Sequence, residues 1–336
     1  MPSASRRAAG PRGTTRLLAI ALAAAGLTAA VATPAVAEPA DGRSAGGGNA
    51  GFPETITLPN DAVAGDLGFQ PEGIAVRGVT AFAGSLVDGS VVTADLRTGA
   101  VSPLVVADGD PAVGLELVGR LLLVAGGPSG EIRAYDNRTG DEVAVYDVPG
   151  AGFINDITVA GGTAYFTDSQ RAVIYAASVD GKTLGEPREI ALAGDFELAA
   201  PGSFNGNGIA ALDARTVILA QSTDPDGSGS ALYTVDTATG VAARIPIAGG
   251  DVTAADGLLL KGRTLYVVQN RENSIAELTL SRDGAAATFV RTITDPDIAV
   301  TTTIDLGPRG SLYGVNARFG TPPSDAVPYE IVRIAR

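Results

Sequence analysis

Asn155-Asp156-Ile157-Thr158-Val159 and, a few residues on, Ala164-Tyr165-Phe166-Thr167-Asp168-Ser169 form one unit of a pattern that recurs along the chain. Each run is too short for a helix, rich in β-branched and aromatic residues, and bounded by Gly, Asp or Asn, so the pair reads as two strands. The unit's signature is its opening, a polar Asn where an apolar inner strand begins. Working outward, Glu72 opens Gly73-Ile74-Ala75-Val76, Asn207 opens Gly208-Ile209-Ala210-Ala211, and Asp256 opens Gly257-Leu258-Leu259-Leu260. Gly114-Leu115-Glu116-Leu117 and Thr303-Ile304-Asp305-Leu306 bring the inner strands to six.

Every unit offers a second strand, such as Thr80-Ala81-Phe82-Ala83 or Leu265-Tyr266-Val267-Val268. A hairpin signature also recurs: Asp95-x-x-Thr98-Gly99, Asp136-x-x-Thr139-Gly140 and Asp236-x-x-Thr239-Gly240. A unit of some forty residues with about four strands is the sequence signature of a propeller blade. The expected fold is therefore all-β, a six-bladed β-propeller over residues 54–336. The last unit runs out after Tyr329–Ile334, while Glu54-Thr55-Ile56-Thr57-Leu58 is a spare strand at the front. Pairing the two closes the ring and hides a sheet edge.

Strands alternate direction within a blade, so the start of each first strand shares a face with the end of each second strand. Glu72, Asn155, Asn207 and Asp256 then converge at one end of the axis, with two carboxylates and two amide oxygens. Hard cations bind such a set, and Ca²⁺ fits best, although other divalent cations are compatible. The Asp-x-x-Thr-Gly hairpins fall on the opposite face and read as turn chemistry. Irregular segments 60–70, 193–203, 222–230 and 318–328 gather on the site face. Ser169, Gln221, Asn270, Asn316 and Arg318, near the ends of second strands, are candidate substrate contacts there.

Residues 1–37 carry Arg6, Arg7, Arg12 and Arg16, an apolar Leu17–Val31 run and Ala35-Val36-Ala37. This reads as a secretory signal peptide, followed by a flexible leader over 38–53, and so as a secreted protein with no membrane anchor after cleavage. Residues 1–37 hold four of the 24 basic residues and none of the 37 acids, so their removal deepens the formal charge from −13 to −17. That charge argues against nucleic acid and anionic membranes as partners. The chain has no Cys and no His. These absences exclude disulfides, thiolate chemistry, Ser-His-Asp catalysis and His-ligated metals. Gly46-Gly47-Gly48-Asn49-Ala50-Gly51 matches a dinucleotide fingerprint without the strand and helix that would give it meaning.

The order Glu72, Asn155, Asn207, Asp256, with Tyr165-Phe166-Thr167-Asp168-Ser169, resembles the SMP-30/gluconolactonase superfamily, which includes the paraoxonases. The resemblance spans Glu54 to Arg336. It implies a central-tunnel Ca²⁺ held by these four residues and hydrolysis of a small-molecule lactone or ester, with Asp256, or else Glu72, as the catalytic carboxylate. The chain is expected to be a monomer. Two departures stand out. Phe153 occupies the position where gluconolactonase-type members carry an Arg, and the histidines of the paraoxonases are missing. The alternative expectation is a non-catalytic secreted propeller that binds a glycan or a protein, with a structural Ca²⁺.

Overall fold

The computed structural model describes residues 5–6, 51–59 and 68–336. The expected signal peptide and leader lie outside these residues, apart from a short pairing of Ser5–Arg6 with the outer edge of blade two and residues 51–53.

The described chain is a six-bladed β-propeller. Each blade is an antiparallel meander whose first strand lies nearest the axis: Pro71–Arg77, Leu115–Val118, Ile154–Ala160, Gly206–Ala211, Ala255–Lys261 and Thr301–Leu306. Six apolar clusters, one between each pair of adjacent blades, complete the ring. The alternation of a strand divides its side chains between two of them. Leu121, Leu123 and Ala125 pack toward blade three, while Leu122 and Val124 pack toward blade one. Strands buried on both faces explain why the inner runs read as continuously apolar.

Closure is as expected. Thr55–Thr57 pairs antiparallel with Glu330–Ile334, Ile56 opposite Ile331, and so supplies the fourth strand of blade six. Ile56 and Leu58 sink into the cluster shared with blade one, beside Ile74 and Tyr313. Ile56→Ala should cost about 3 kcal/mol in a urea unfolding curve, the usual range for a buried Ile truncation. The exposed neighbour Thr57→Ala should shift the midpoint little.

The three hairpin motifs are turns as anticipated. Asp95 Oδ1 accepts from the Arg97 and Thr98 amides, Asp236 Oδ1 accepts from Ala238 and Thr239, and Gly99 and Gly240 both have φ of 76°. One rim segment differs from its expected irregularity. Ala193–Gly194 forms a parallel edge strand on Val241–Arg244, and Ile247–Ala248 does the same on Ala287–Ile293. Both cover backbone groups that a bare outer edge would expose.

Candidate metal centre

Five first strands carry a β-bulge at the same point. The ladder to the second strand slips between Pro71 and Ile74, Ile154 and Ile157, Gly206 and Ile209, Ala255 and Leu258, and Thr301 and Ile304. Inside the slips stand Glu72-Gly73, Asn155-Asp156, Asn207-Gly208, Asp256-Gly257 and Thr302-Thr303. A bulge frees one residue from the pleat and re-aims its side chain. This is how an otherwise packed strand presents a polar group.

The residue after each of these positions touches the next blade. A Cβ on Gly73 would lie 2.2 Å from the Val113 carbonyl oxygen, one on Gly114 2.3 Å from that of Asn155, and one on Gly208 2.1 Å from that of Asp256. Only glycine permits that approach. The contacts define a ring of equivalent positions: Glu72, Val113, Asn155, Asn207, Asp256 and Thr302. Blade three replaces the glycine with Asp156, whose Oδ2 accepts from the Ile209 amide of blade four at 3.1 Å. Thr302 Oγ1 donates to the Glu72 carbonyl at 2.6 Å and joins blade six to blade one.

Hydrogen-bond direction fixes the two asparagines. Ser169 Oγ donates its single proton to the Gly206 carbonyl at 2.7 Å and can only accept from Asn155, whose Nδ2 lies 2.9 Å away. Ser222 Oγ donates to the Ala255 carbonyl at 2.6 Å and accepts from Asn207 Nδ2 at 2.9 Å. Each amide nitrogen is thereby held toward the blade seam and its oxygen turned away. Asn155 Oδ1 is buried and has no hydrogen-bond partner.

Glu72 and Asp256 are 6% and 2% exposed, and among the described residues neither has an ion-pair partner. Burial, then the Asp256 and Asp156 charges, push the Glu72 carboxyl well above the usual range. Burial raises Asp256 to about 7, aided by Asp156 and opposed by hydrogen bonds from Asn270 and Asn207. Asp156 is likewise raised to about 7 by burial, against the amides of Ile157 and Ile209. Two buried carboxylates without an ion pair, of which Asp256 feels only the positive charge of Arg271, share the ring with an orphaned amide oxygen in an all-oxygen set short of positive charge. That fits a hard divalent cation. Among the described residues no group of three or more His, Cys, Asp or Glu forms a metal cluster, so such a site depends on the amides.

The sequence-predicted substrate contacts divide by position. Ladder pairing places Ser85, Asp168, Gln221, Gln269 and Asn316 at equivalent ends of second strands, opposite the residue before each bulge. These buried side chains anchor loops: Asn316 accepts from Ala299 and donates to the Asp297 carbonyl, and Gln221 donates to that of Glu197. One residue later, Ser169, Ser222 and Asn270 meet the ring, with Asn270 Nδ2 2.6 Å from Asp256 Oδ2. Ser169, Gln221 and Asn316 are fully buried and bonded within the protein, where the sequence reading expects substrate contacts. Arg318 pairs with Glu330 and donates to the Pro328 carbonyl. Sequence reasoning missed Ser222 and Thr302. The aligned dipeptides Asp168-Ser169 and Gln221-Ser222 are the signal for the first.

Below the ring the axis opens into a cavity of about 390 Å³, with Glu116, Asp156 and Asp305 on its wall. Burial, then the Asp305 and Asp156 charges, lift Glu116 to about 8.

No family model and no curated protein matches this chain. Solved structures do. The allergen Mala s 1 of Malassezia sympodialis has a TM-score of 0.62 at 14% identity, covering 85% of this chain and 97% of that one. A luciferin-regenerating enzyme has a TM-score of 0.56 at 13% identity, over 84% of this chain and 95% of its own. Virginiamycin B lyase from Staphylococcus aureus has a TM-score of 0.51 at 16% identity, over 73% and 76%. At these identities the likeness is one of fold. The class defined is a six-bladed β-propeller, some of whose structural neighbours are enzymes.

Proposed function

We propose that the protein is a secreted, Ca²⁺-dependent hydrolase of esters or lactones, of the SMP-30/gluconolactonase type. The orphaned Asn155 oxygen, set by Ser169 in the same ring as two buried carboxylates that have no ion-pair partner, carries the reading. Glu72, Asn155, Asn207 and Asp256 would hold the ion. Bound there, Ca²⁺ supplies Lewis-acid polarisation of a substrate carbonyl, which suits a chain with no histidine to act as acid or base.

The protein's own groups do the rest. Asp256 would act as the base that takes a proton from the attacking water, or as the nucleophile that attacks the carbonyl carbon, expels the alkoxide and leaves an acyl intermediate for water to open. Its carboxylate is buried and held by Asn270, so one oxygen is kept in a fixed orientation. Glu72 is the second carboxylate of the site. Its main chain is held by Thr302. Ser169 and Ser222 position the two amides and do not react. Asp156 holds blades three and four in register beside them.

The test is turnover of a panel of lactones and aryl esters by the purified protein. With calcium, at least one member should be hydrolysed well above the uncatalysed rate, and chelation should abolish the reaction until calcium is restored. Turnover indifferent to chelation would remove the metal from the mechanism. Calcium binding without turnover of any member would leave a binding propeller.

A further inference from the structure

Arg133, Arg171, Arg244, Arg271 and Arg318 all lie toward the site face, on the loops and strand ends that the blade meander turns to that side. All but one are committed within the protein. Arg133 pairs with Asp108, Arg171 with Glu189, Arg244 with Asp224 and Arg318 with Glu330. Arg271 is exposed, and among the described residues its side chain has no ion pair and no hydrogen bond. Even the adjacent Glu272 does not pair with it.

The backbone that carries Arg271 is pinned beside the ring. It is the middle residue of a single 3-10 turn, Asn270–Glu272, tied down at both ends. At the start, Asn270 Nδ2 donates to Asp256 Oδ2 at 2.6 Å, and the Asn270 amide donates to the Ala254 carbonyl at 3.3 Å. At the end, Asn273 takes the left-handed conformation, with φ of 49° and ψ of 46°, and returns its amide to the Asn270 carbonyl. Asn273 Oδ1 also accepts from the Val300 amide at 2.6 Å, where the chain enters blade six. The turn is therefore anchored to Asp256 on one side and to the next blade on the other, and Arg271 takes no part in either anchor. Its charge is felt at Asp256.

A guanidinium offers a planar fork that matches a carboxylate with two parallel hydrogen bonds. Calcium in the ring would balance Glu72 and Asp256 and leave Arg271 as the unmatched charge beside them. One guanidinium suits a monoanion. A phosphate dianion would call for further donors, and the other arginines of this face are already paired. We infer that the substrate is a lactone or ester that also carries a carboxylate, held by Arg271 on the blade-five side of the site while the scissile carbonyl meets the ring. This rests on the hydrolase reading for the reacting group; the carboxylate subsite does not.

The experiment compares 5-oxotetrahydrofuran-2-carboxylate with γ-butyrolactone as substrates of the calcium-loaded protein, each rate taken relative to the uncatalysed one. In parallel, calorimetry compares pyroglutamate with pyrrolidin-2-one, the lactams of the same shape, which resist hydrolysis. The carboxylate should raise kcat/KM by at least about 10-fold, the usual worth of a charge-assisted hydrogen bond, with a matching preference between the lactams. Both preferences should shrink as salt is raised. Arg271→Ala removes an exposed side chain with no bonds to the fold, and should bring both preferences close to unity with calcium content unchanged. Arg271→Lys should restore part of them. Equal treatment of the two lactones, or a preference that survives Arg271→Ala, overturns the inference and leaves the hydrolase reading standing. Absence of all turnover with a lactam preference that depends on Arg271 removes the hydrolase reading and supports the subsite. Absence of both overturns both.

Discussion

Asp256→Asn should abolish hydrolysis and stabilise the metal-free fold. The substitution keeps shape while removing the charge and basicity of the assigned base, and one negative charge of the cation set. Lewis-acid polarisation is worth several kcal/mol. At about 1.4 kcal/mol per decade, kcat/KM should fall at least about 10³-fold. Stability should move the other way. Asp256 is 2% exposed and its carboxyl is raised to about 7 by burial, so the fold bears a charge it does not favour. At pH 8 without metal, Asp256→Asn should melt above wild type. Activity falling while stability rises separates loss of a functional group from loss of fold. A variant that melts lower and loses activity in proportion would show that Asp256 serves structure instead.

The melting temperature of the metal-free protein should fall as pH rises from 5 to 8, and calcium should reverse that slope. In the unfolded chain Asp256 titrates near its ordinary value of about 4, whereas in the metal-free fold the value is about 7. Between these limits the native state retains a proton that the unfolded state has released. The stability present at low pH is therefore lost as pH rises through the folded value. Glu72, raised by burial and by the Asp256 charge, adds in the same direction. Calcium needs both carboxylates ionised, so protons compete with it and its effect grows with pH. At a hundredfold excess over Kd the gain is about 2.7 kcal/mol, or about 5 °C in a domain of this size. Scanning fluorimetry at pH 5, 6, 7 and 8, with calcium and with chelator, checks both slopes.

Much of this was legible in the sequence because a propeller writes its repeat into composition. Inner strands buried on both faces must be apolar, so Glu72, Asn155, Asn207 and Asp256 stand out against Ile74, Ile157, Ile209 and Leu258. The closing strand was legible for a similar reason, as a surplus at one end against a deficit at the other. The bulges were not. They depend on pairing register, which no single strand contains, and only the contact of Gly73 with Val113 reveals Val113 as the ring member of blade two. The roles of the second-strand ends were hidden likewise. Asp168 and Ser169 are adjacent and both polar, yet one anchors a loop and the other orients the Asn155 amide. Phe153 and Phe204 are 51 positions apart, and only the seam between blades three and four joins them.

The central claim is that four residues, each from a different blade, hold one cation. Its most direct measurement is calcium bound per chain after equilibrium dialysis, for wild type and for Asn155→Ala combined with Asn207→Ala. Wild type should retain one ion. The double variant, which keeps both carboxylates and a cooperative melt, should retain none at the same free calcium. Equal binding by the two proteins, or none by wild type, would contradict the claim.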